Sequence, residues 1–405
     1  MNEHNRDARN LAIYDALVTE TRYNWDNCDF FLEYLGARIK EYSAKVTMFD
    51  GYVKSRINGN KEILTCLSMK IIEATSLYMR GKTYAAYKAM EEAIGCINEV
   101  LVRKSAKRIT TGLEFGFRAR VMKDNGNPPI SREDMFHIPF EKRHLVSDQR
   151  FSVHGLPSIY LGRSIYDCYV ELGCPSLDKF FVSLFIFIQD KNDVLNTGHI
   201  KLINLTFADN QYRIPLIWNS VKNDDAAYMA ILDSLVDDIL LWPLIFACSV
   251  VCKEPSAPFK QEYIIPQMLY QYCNEKDEFT GVRYYSTKIA NNSRREKLRS
   301  VMINYALPTQ AAKRSGYCPK LASELILSEP ICVGGCQTKI KDAQFGWTSN
   351  GFPVISAMHS ELKEDAVILA CDKATSYFDD LAIQLREKKD INAIKPLAGW
   401  AEETD

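Results

Sequence analysis

Residues 150–172, RFSVHGLPSIYLGRSIYDCYVEL, constrain the fold more than any other stretch, because they spell out strand, turn, strand and capped helix in immediate succession. Gly155 and Pro157 mark the turn between two short extended runs, since glycine tolerates positive φ and proline fixes its own. Ser164 reads as an N-cap with Asp167 three residues on, a capping box with Asp in place of Glu, and Gly173 is the matching C′ stop. On the helix so defined, Ile165, Cys168, Tyr169 and Leu172 share one face. Glu171 falls about 60° round from Cys168, at the border of that apolar stripe. A border carboxylate either meets solvent or looks into a cleft, and the rest of the chain has to decide between the two.

Before this stretch, residues 1–105 read as helices. Cys28, Phe31, Leu32, Leu35, Ile39 and Tyr42 form one apolar stripe, and Ile63, Leu67, Ile71, Ala74, Leu77 and Tyr78 another, with breaks at Asn58-Gly59-Asn60 and at Gly81. The basic cluster RKSAKR at 103–108 closes the helical part as an exposed junction suited to a helix C-terminus. LEFGFRARV at 113–121 then reads as the first strand of a second domain. After the organising stretch, the unbroken apolar run FFVSLFIFI at 180–188 is a buried strand, HIKLINLTF at 199–207 another, and GVRYYSTKI at 281–289 a third. A helix is expected over 226–241, ended or kinked by Trp242-Pro243. Further on, VILACD at 367–372 is strand-like, YFDDLAIQLREKK helical, and FGWTSNGFP a glycine-rich turn.

Composition narrows the function classes. With 405 residues the chain accommodates two or three domains, and 47% apolar with 25% charged residues is ordinary for globular proteins. A net charge of −1 supplies no field for nucleic acid or an acidic membrane surface. The apolar run from Ile239 to Cys252 is broken by Pro243 and is too short for a bilayer span. The first ten residues lack a secretory pattern, so a cytoplasmic location is expected, with the 12 cysteines reduced and packed as small hydrophobes. Cys332 and Cys336 in CVGGC lack two further ligands nearby, so no metal is expected. Neither CVGGC nor FGWTSNGFP has phosphate-loop spacing.

Five motifs in order resemble one known family. FRAR at 117–120, the stretch with Arg150, Tyr160 and Glu171, LWPLIFACS at 241–249, QEYIIPQ at 261–267 and GVRYYS at 281–286, ending on Ser286, resemble the RES domain. This bacterial family is named for an Arg, a Glu and a Ser and is known for NAD-consuming toxins on an ADP-ribosyltransferase-like fold. The resemblance covers under half the chain. It implies an α+β protein with a helical N-terminal domain over 1–110, a mixed-sheet RES-like domain over 111–306 and an α/β extension over 307–405. Helical modules of ribonuclease type precede RES domains in some proteins, but they need an Arg and a nearby His on one helix. No His occurs between His4 and His137. Three departures from the family pattern stand out: Ala119 follows Arg118 where a Tyr is usual, the chain is far longer than compact RES toxins, and Asn204 occupies a place where Asp is common.

What the resemblance implies chemically is cleavage of the nicotinamide–ribose bond of NAD, with NAD as substrate and no cofactor. That reaction expels a neutral pyridine and leaves an oxocarbenium-like sugar, so it needs positioning and a negative field. Glu171 is the candidate for that field, with Ser286 and Arg150 completing the catalytic set. Arg118 is the second candidate clamp for the pyrophosphate, Arg side chains being suited to oxyanions. Tyr160 stacks on nicotinamide or bonds ribose, or else is a half-buried strand Tyr; Ser164 and Tyr285 line the substrate. Tyr285 and Ser286 fall on opposite faces of a strand, so one of them alone can face the cleft. The acceptor is water or phosphate, giving a toxin or anti-phage effector. The alternatives are a protein ADP-ribosyltransferase on the same site and a catalytically silent binding module. Expected partners are an antitoxin or regulatory protein and a second copy in a homodimer, with no nucleic acid and no membrane.

Overall fold

A computed structural model describes residues 3–19, 25, 30–106, 115–123, 130–187, 201–207, 224–276, 278–288, 302–310, 313–334, 346–347, 353–354, 371 and 374–375. In chain order the helices are α1 (Glu3–Thr19), α2 (Phe31–Val46), α3 (Gly51–Gly59), α4 (Lys61–Met79), α5 (Thr83–Ala106), α6 (Ile165–Glu171), α7 (Asp225–Ser249), α8 (Ile264–Glu275) and α9 (Pro319–Glu324). The strands are β1 (Phe115–Val121), β2 (Ser158–Gly162), β3 (Phe180–Phe187), β4 (Leu202–Asn204), β5 (Gly281–Tyr285), β6 (Ile303–Pro308), β7 (Leu325–Leu327), β8 (Ile331–Cys332), β9 (Gly346–Trp347) and β10 (Pro353–Val354). The fold class is α+β, with a helical N-terminal region and both parallel and antiparallel strand pairs.

The chain divides into two compact units that differ from the three successive segments read from the sequence. The first gathers residues 1–110, 147–154 and 201–301; the second gathers 111–146, 155–200 and 302–405. Both the stretch 111–306 and the organising segment itself are therefore shared between the units, and the residues after 307 belong with the second.

In the first unit, α7 is the centre. Every residue from Leu235 to Ser249 is buried, as expected of a helix surrounded by other helices instead of lying on a surface. α7 does not end at Pro243 but continues past it to Ser249. A proline inside a helix orphans the carbonyl four residues earlier. Here that carbonyl, on Ile239, accepts a 2.6 Å hydrogen bond from the Tyr42 hydroxyl of α2. Trp242 completes the joint, stacked on Tyr42 and on Phe246 with ring centroids 4.5 and 4.9 Å away.

In the basic cluster at the end of α5, Arg103 is exposed as expected and Lys107 and Arg108 lie outside the described residues, but Lys104 departs from the exposed junction. Lys104 is buried and ion-paired to Asp238 at 2.5 Å, and Arg103 is paired to Asp237, because α7 carries two adjacent acids where α5 ends. Tyr14 bonds the second oxygen of Asp238, so one carboxylate ties α1, α5 and α7 together. The α2 stripe follows the sequence at Phe31, Leu35, Ile39 and Tyr42, while Cys28 lies outside the described residues. The α4 face is rotated, burying Leu64, Leu67, Ser68, Ile71, Ala74 and Thr75. A further correction concerns the cysteines: Cys66 of α4 and Cys96 of α5 form a disulfide, their Cα atoms 6.6 Å apart across the hairpin of the two helices. β4 and β5 pair in parallel, Asn204 opposite Arg283.

In the second unit the strands run β6-β2-β1-β3-β7, with β8 also on β3, and every one of these pairs is antiparallel. The C-terminal strands β7 and β8 thus extend the same sheet instead of forming a separate α/β extension. α6 packs over Phe117, Phe180, Val182, Leu184 and Ile186 through Ile165 and Cys168, together with Val333, Cys371 and Ala374. Cys371 is helical, not part of a strand; most of the expected strand at 367–372 and the expected helix after it lie outside the described residues. The glycine-rich segment at 345–353 includes residues of β9 and β10, which pair antiparallel.

Candidate functional site

The turn from β2 into α6 builds the best-defined candidate site. Gly162 ends β2 so close to the helix that a Cβ there would lie 2.8 Å from the Cys168 sulfur, so a larger residue would force the start of α6 to shift. The Ser164 hydroxyl then accepts the Asp167 N–H at 3.0 Å and the Asp167 carboxylate accepts the Ser164 N–H at 3.1 Å, the capping box read from the sequence. Ser164, a substrate-lining candidate, is thus engaged in holding the helix. Burial pushes the Asp167 carboxyl up to about 7, against hydrogen bonds from Ser164 and from the Ile303 N–H of β6, which pull it down. Arg163 N–H in turn donates to the Ile303 carbonyl at 2.8 Å, so the start of α6 is fastened to β6 twice.

Its other end is fastened to the next residue of the same strand. Glu171 closes α6 half-buried, and its Oε1 accepts a 2.6 Å hydrogen bond from Nδ2 of Asn304, a residue only 4% exposed. The backbone leaves the helix at once, through Gly173 at φ +78°. Gly162 is the Cα partner of Asn304 and Tyr160 that of Ala306, so a strand's period of two puts Tyr160 and Asn304 on the face of the sheet that α6 covers. Glu171, Asn304 and the half-buried Tyr160 therefore share one face. Nothing in the sequence paired Asn304 with Glu171. The available signal was a lone amide in the apolar run MINYALP.

Arg118 leaves β1 on the other side. Phe117 pairs with Gly162 and packs under α6, so Arg118 and Arg120 point their Cβ atoms away from that face. Burial, with a further push from Arg120, lowers the Arg118 guanidinium to about 9, while Cys168 and Tyr160 lie within electrostatic range and act the opposite way. His137 is buried among Phe136, Phe140 and Tyr317. Its Nδ1 lies 2.8 Å from the Ile138 carbonyl and its Nε2 accepts the Cys318 N–H at 2.8 Å, the neutral tautomer. Burial, helped by the Arg118 charge, holds its pKa down at about 4.

Arg150, Tyr285 and Ser286 belong to the first unit. Arg150 is buried, with Nη1 on the Cys248 carbonyl at 3.2 Å and Nη2 on the Val250 carbonyl at 2.9 Å and on Thr287 Oγ1 at 3.0 Å. Its guanidinium also sits 4.9 Å from the centre of the Tyr263 ring. Carbonyls at the end of a helix lack intrahelical donors, and Arg150 supplies them at the end of α7. Ser286 is buried beside that partner Thr287, and its Oγ accepts the Lys288 N–H at 3.4 Å. The Tyr285 hydroxyl accepts the Phe207 N–H at 3.0 Å. Asn204, where the resembled pattern has Asp, accepts from Thr206 and from the buried Arg283.

Among the described residues, no three His, Cys, Asp or Glu side chains group as metal ligands; Cys336 lies outside them. Among the described residues, no helix is long and apolar enough to cross a membrane.

No protein-family model matches the chain, and no solved structure does. Among curated proteins it is similar to one from Bacillus subtilis (strain 168) named "Putative toxin YopC", with 28% identity over 313 residues, covering 76% of this chain and 67% of that protein.

Proposed function

We propose that the chain is a toxin that degrades NAD by cleaving the nicotinamide–ribose bond, on an ADP-ribosyltransferase-like fold. The observation that carries this reading is the Glu171 carboxylate, half-buried at the end of a helix fastened to β6 at both ends and aligned by Asn304 at 2.6 Å. A carboxylate so held is a fixed negative field, which is what an oxocarbenium-like transition state needs. The C1′–N bond breaks with its electron pair passing to the pyridinium, which becomes neutral nicotinamide. A water or phosphate oxygen bonds to C1′, and in the case of water one proton is released. Tyr160, on the same face, offers a ring for nicotinamide or a hydroxyl for ribose. The likeness to a protein named as a toxin supports the physiological side, and an antitoxin that restrains the activity is the partner this reading calls for.

The test is to incubate the purified full chain with NAD and follow nicotinamide release, alongside a search for ADP-ribosylated protein. Release without protein modification is the expected result. Modified protein would make the chain a protein ADP-ribosyltransferase, and no release from folded protein would remove NAD as substrate.

A further inference from the structure

Cys66 faces Cys96 across the α4–α5 hairpin, their Cα atoms 6.6 Å apart, within the span a disulfide bridges without moving the backbone. Both residues are half-buried, so a small reagent in solvent can reach them, whereas Cys168, Cys248, Cys273, Cys318 and Cys371 are buried. Burial also pushes the Cys168, Cys248 and Cys273 thiols up, away from the reactive thiolate. The hairpin does not depend on the bond. α4 buries Leu64, Leu67 and Ile71, and α5 buries Met90, Ile94 and Ile97. One helical turn from the cysteines, Lys70 Nζ of α4 lies 2.6 Å from a carboxylate oxygen of Glu92 on α5. The turn between the helices is closed by Gly81 at φ +75°. Packing, ion pair and turn therefore hold the two cysteines side by side whether or not they are joined.

We infer that Cys66 and Cys96 form a thiol–disulfide exchange site, which low-molecular-weight disulfides close and low-molecular-weight thiols open. To close it, the thiolate of one cysteine attacks an oxidised small disulfide such as oxidised glutathione, forming a mixed disulfide and expelling one small thiol. The thiolate of the other cysteine then attacks the cysteine sulfur of that mixed disulfide and expels the second small thiol. Two protein thiols are oxidised, one small disulfide is reduced to two thiols, and the two cysteine protons pass to the departing thiolates. Opening is the reverse. When closed, the bond latches α4 to α5, whose far end holds Asp238 of α7 through Lys104. The latch thus sets the stability of the first unit by the redox state of its surroundings, and it does not rest on NAD cleavage.

Peptide mapping and thermal melting of the purified full chain test this. After equilibration with oxidised glutathione and alkylation of the remaining thiols, the tryptic peptides 62–70 and 89–103 should be joined by one disulfide. Millimolar reduced glutathione, added to the folded oxidised chain, should separate them. The latched chain should melt about 4 °C or more above the reduced one, the scale for closing a loop of this length in a unit of this size. Cys66→Ser and, as an independent second variant, Cys96→Ser should melt like reduced wild type under both conditions. A purely structural disulfide would survive reduced glutathione in the folded chain, and that result overturns the inference. So does failure of the linked peptide to form, equal melting of oxidised and reduced wild type, or an oxidation-dependent shift that persists in both variants.

Discussion

Asn304 Nδ2 donates to Glu171 Oε1 at 2.6 Å, joining the end of a two-turn helix to a strand 133 residues further along the chain. The bond fixes one carboxylate oxygen in place. Asn304→Ala should therefore lower the turnover number by about 10- to 100-fold, the scale of a hydrogen bond to a charged group, with a smaller change in KM. Asn304→Asp makes a sharper forecast. It sets a second carboxylate against the first, so the acidic limb of the pH–rate profile should move to higher pH. A profile of unchanged shape in Asn304→Asp would mean that the amide does not govern Glu171.

Asp167 gives the helix a pH dependence. Its folded-state pKa near 7 lies above the unfolded value of about 3.9, so between those values the folded chain binds the extra proton. The contribution of Asp167 to stability is therefore full below about pH 4, falls as pH rises, and is lost above about pH 7. Asp167→Asn should abolish that component. The melting-temperature difference between wild type and Asp167→Asn, plotted against pH, should slope downward across this window, and a flat difference would contradict the assignment.

Tyr42 and Pro243 should be energetically coupled. Tyr42→Phe strands the Ile239 carbonyl in a buried helix and should cost about 1–3 kcal/mol. In a Pro243→Ala background the restored N–H at 243 can bond that carbonyl, so the same change should cost much less. Denaturant unfolding of the four proteins measures the coupling as a double-mutant cycle.

Arg150 is forecast to act through stability. Its removal leaves the carbonyls of Cys248 and Val250 without their donor at the end of α7, so Arg150→Ala should lower stability by about 2 kcal/mol or more. A normally stable Arg150→Ala protein with a raised KM for NAD would instead restore the pyrophosphate clamp implied by the family resemblance.

Local signals in the sequence were reliable where the physics is local. The Ser164–Asp167 cap, the turn at Gly155, the helix breaks at Gly59 and Gly81 and the buried run of β3 all follow from neighbouring residues, and all are present. What could not be read required a distant partner. Pro243 looked like a helix end because the Tyr42 hydroxyl that rescues it lies 197 residues from Ile239. Lys104 looked exposed because Asp238 is 134 residues away. Cys66 and Cys96 carry no spacing signature, since a hairpin of two helices brings them together. For the candidate site, periodicity gives the position of Glu171 at the border of its helix stripe, while a role for it and for Tyr160 is implied by the family resemblance. Asn304 depended on the pairing of β2 with β6, and the split between Arg118 and Arg150 on the hydrogen bonds each finds.

The central claim rests on the Glu171 charge, and Glu171→Gln isolates it by keeping shape and hydrogen-bonding reach. Nicotinamide release should fall by about 10²–10³-fold or more in turnover with little change in KM, while the melting temperature stays near wild type. A folded Glu171→Gln protein that releases nicotinamide at the wild-type rate would contradict the account and make Glu171 an ordinary carboxylate at the end of a helix.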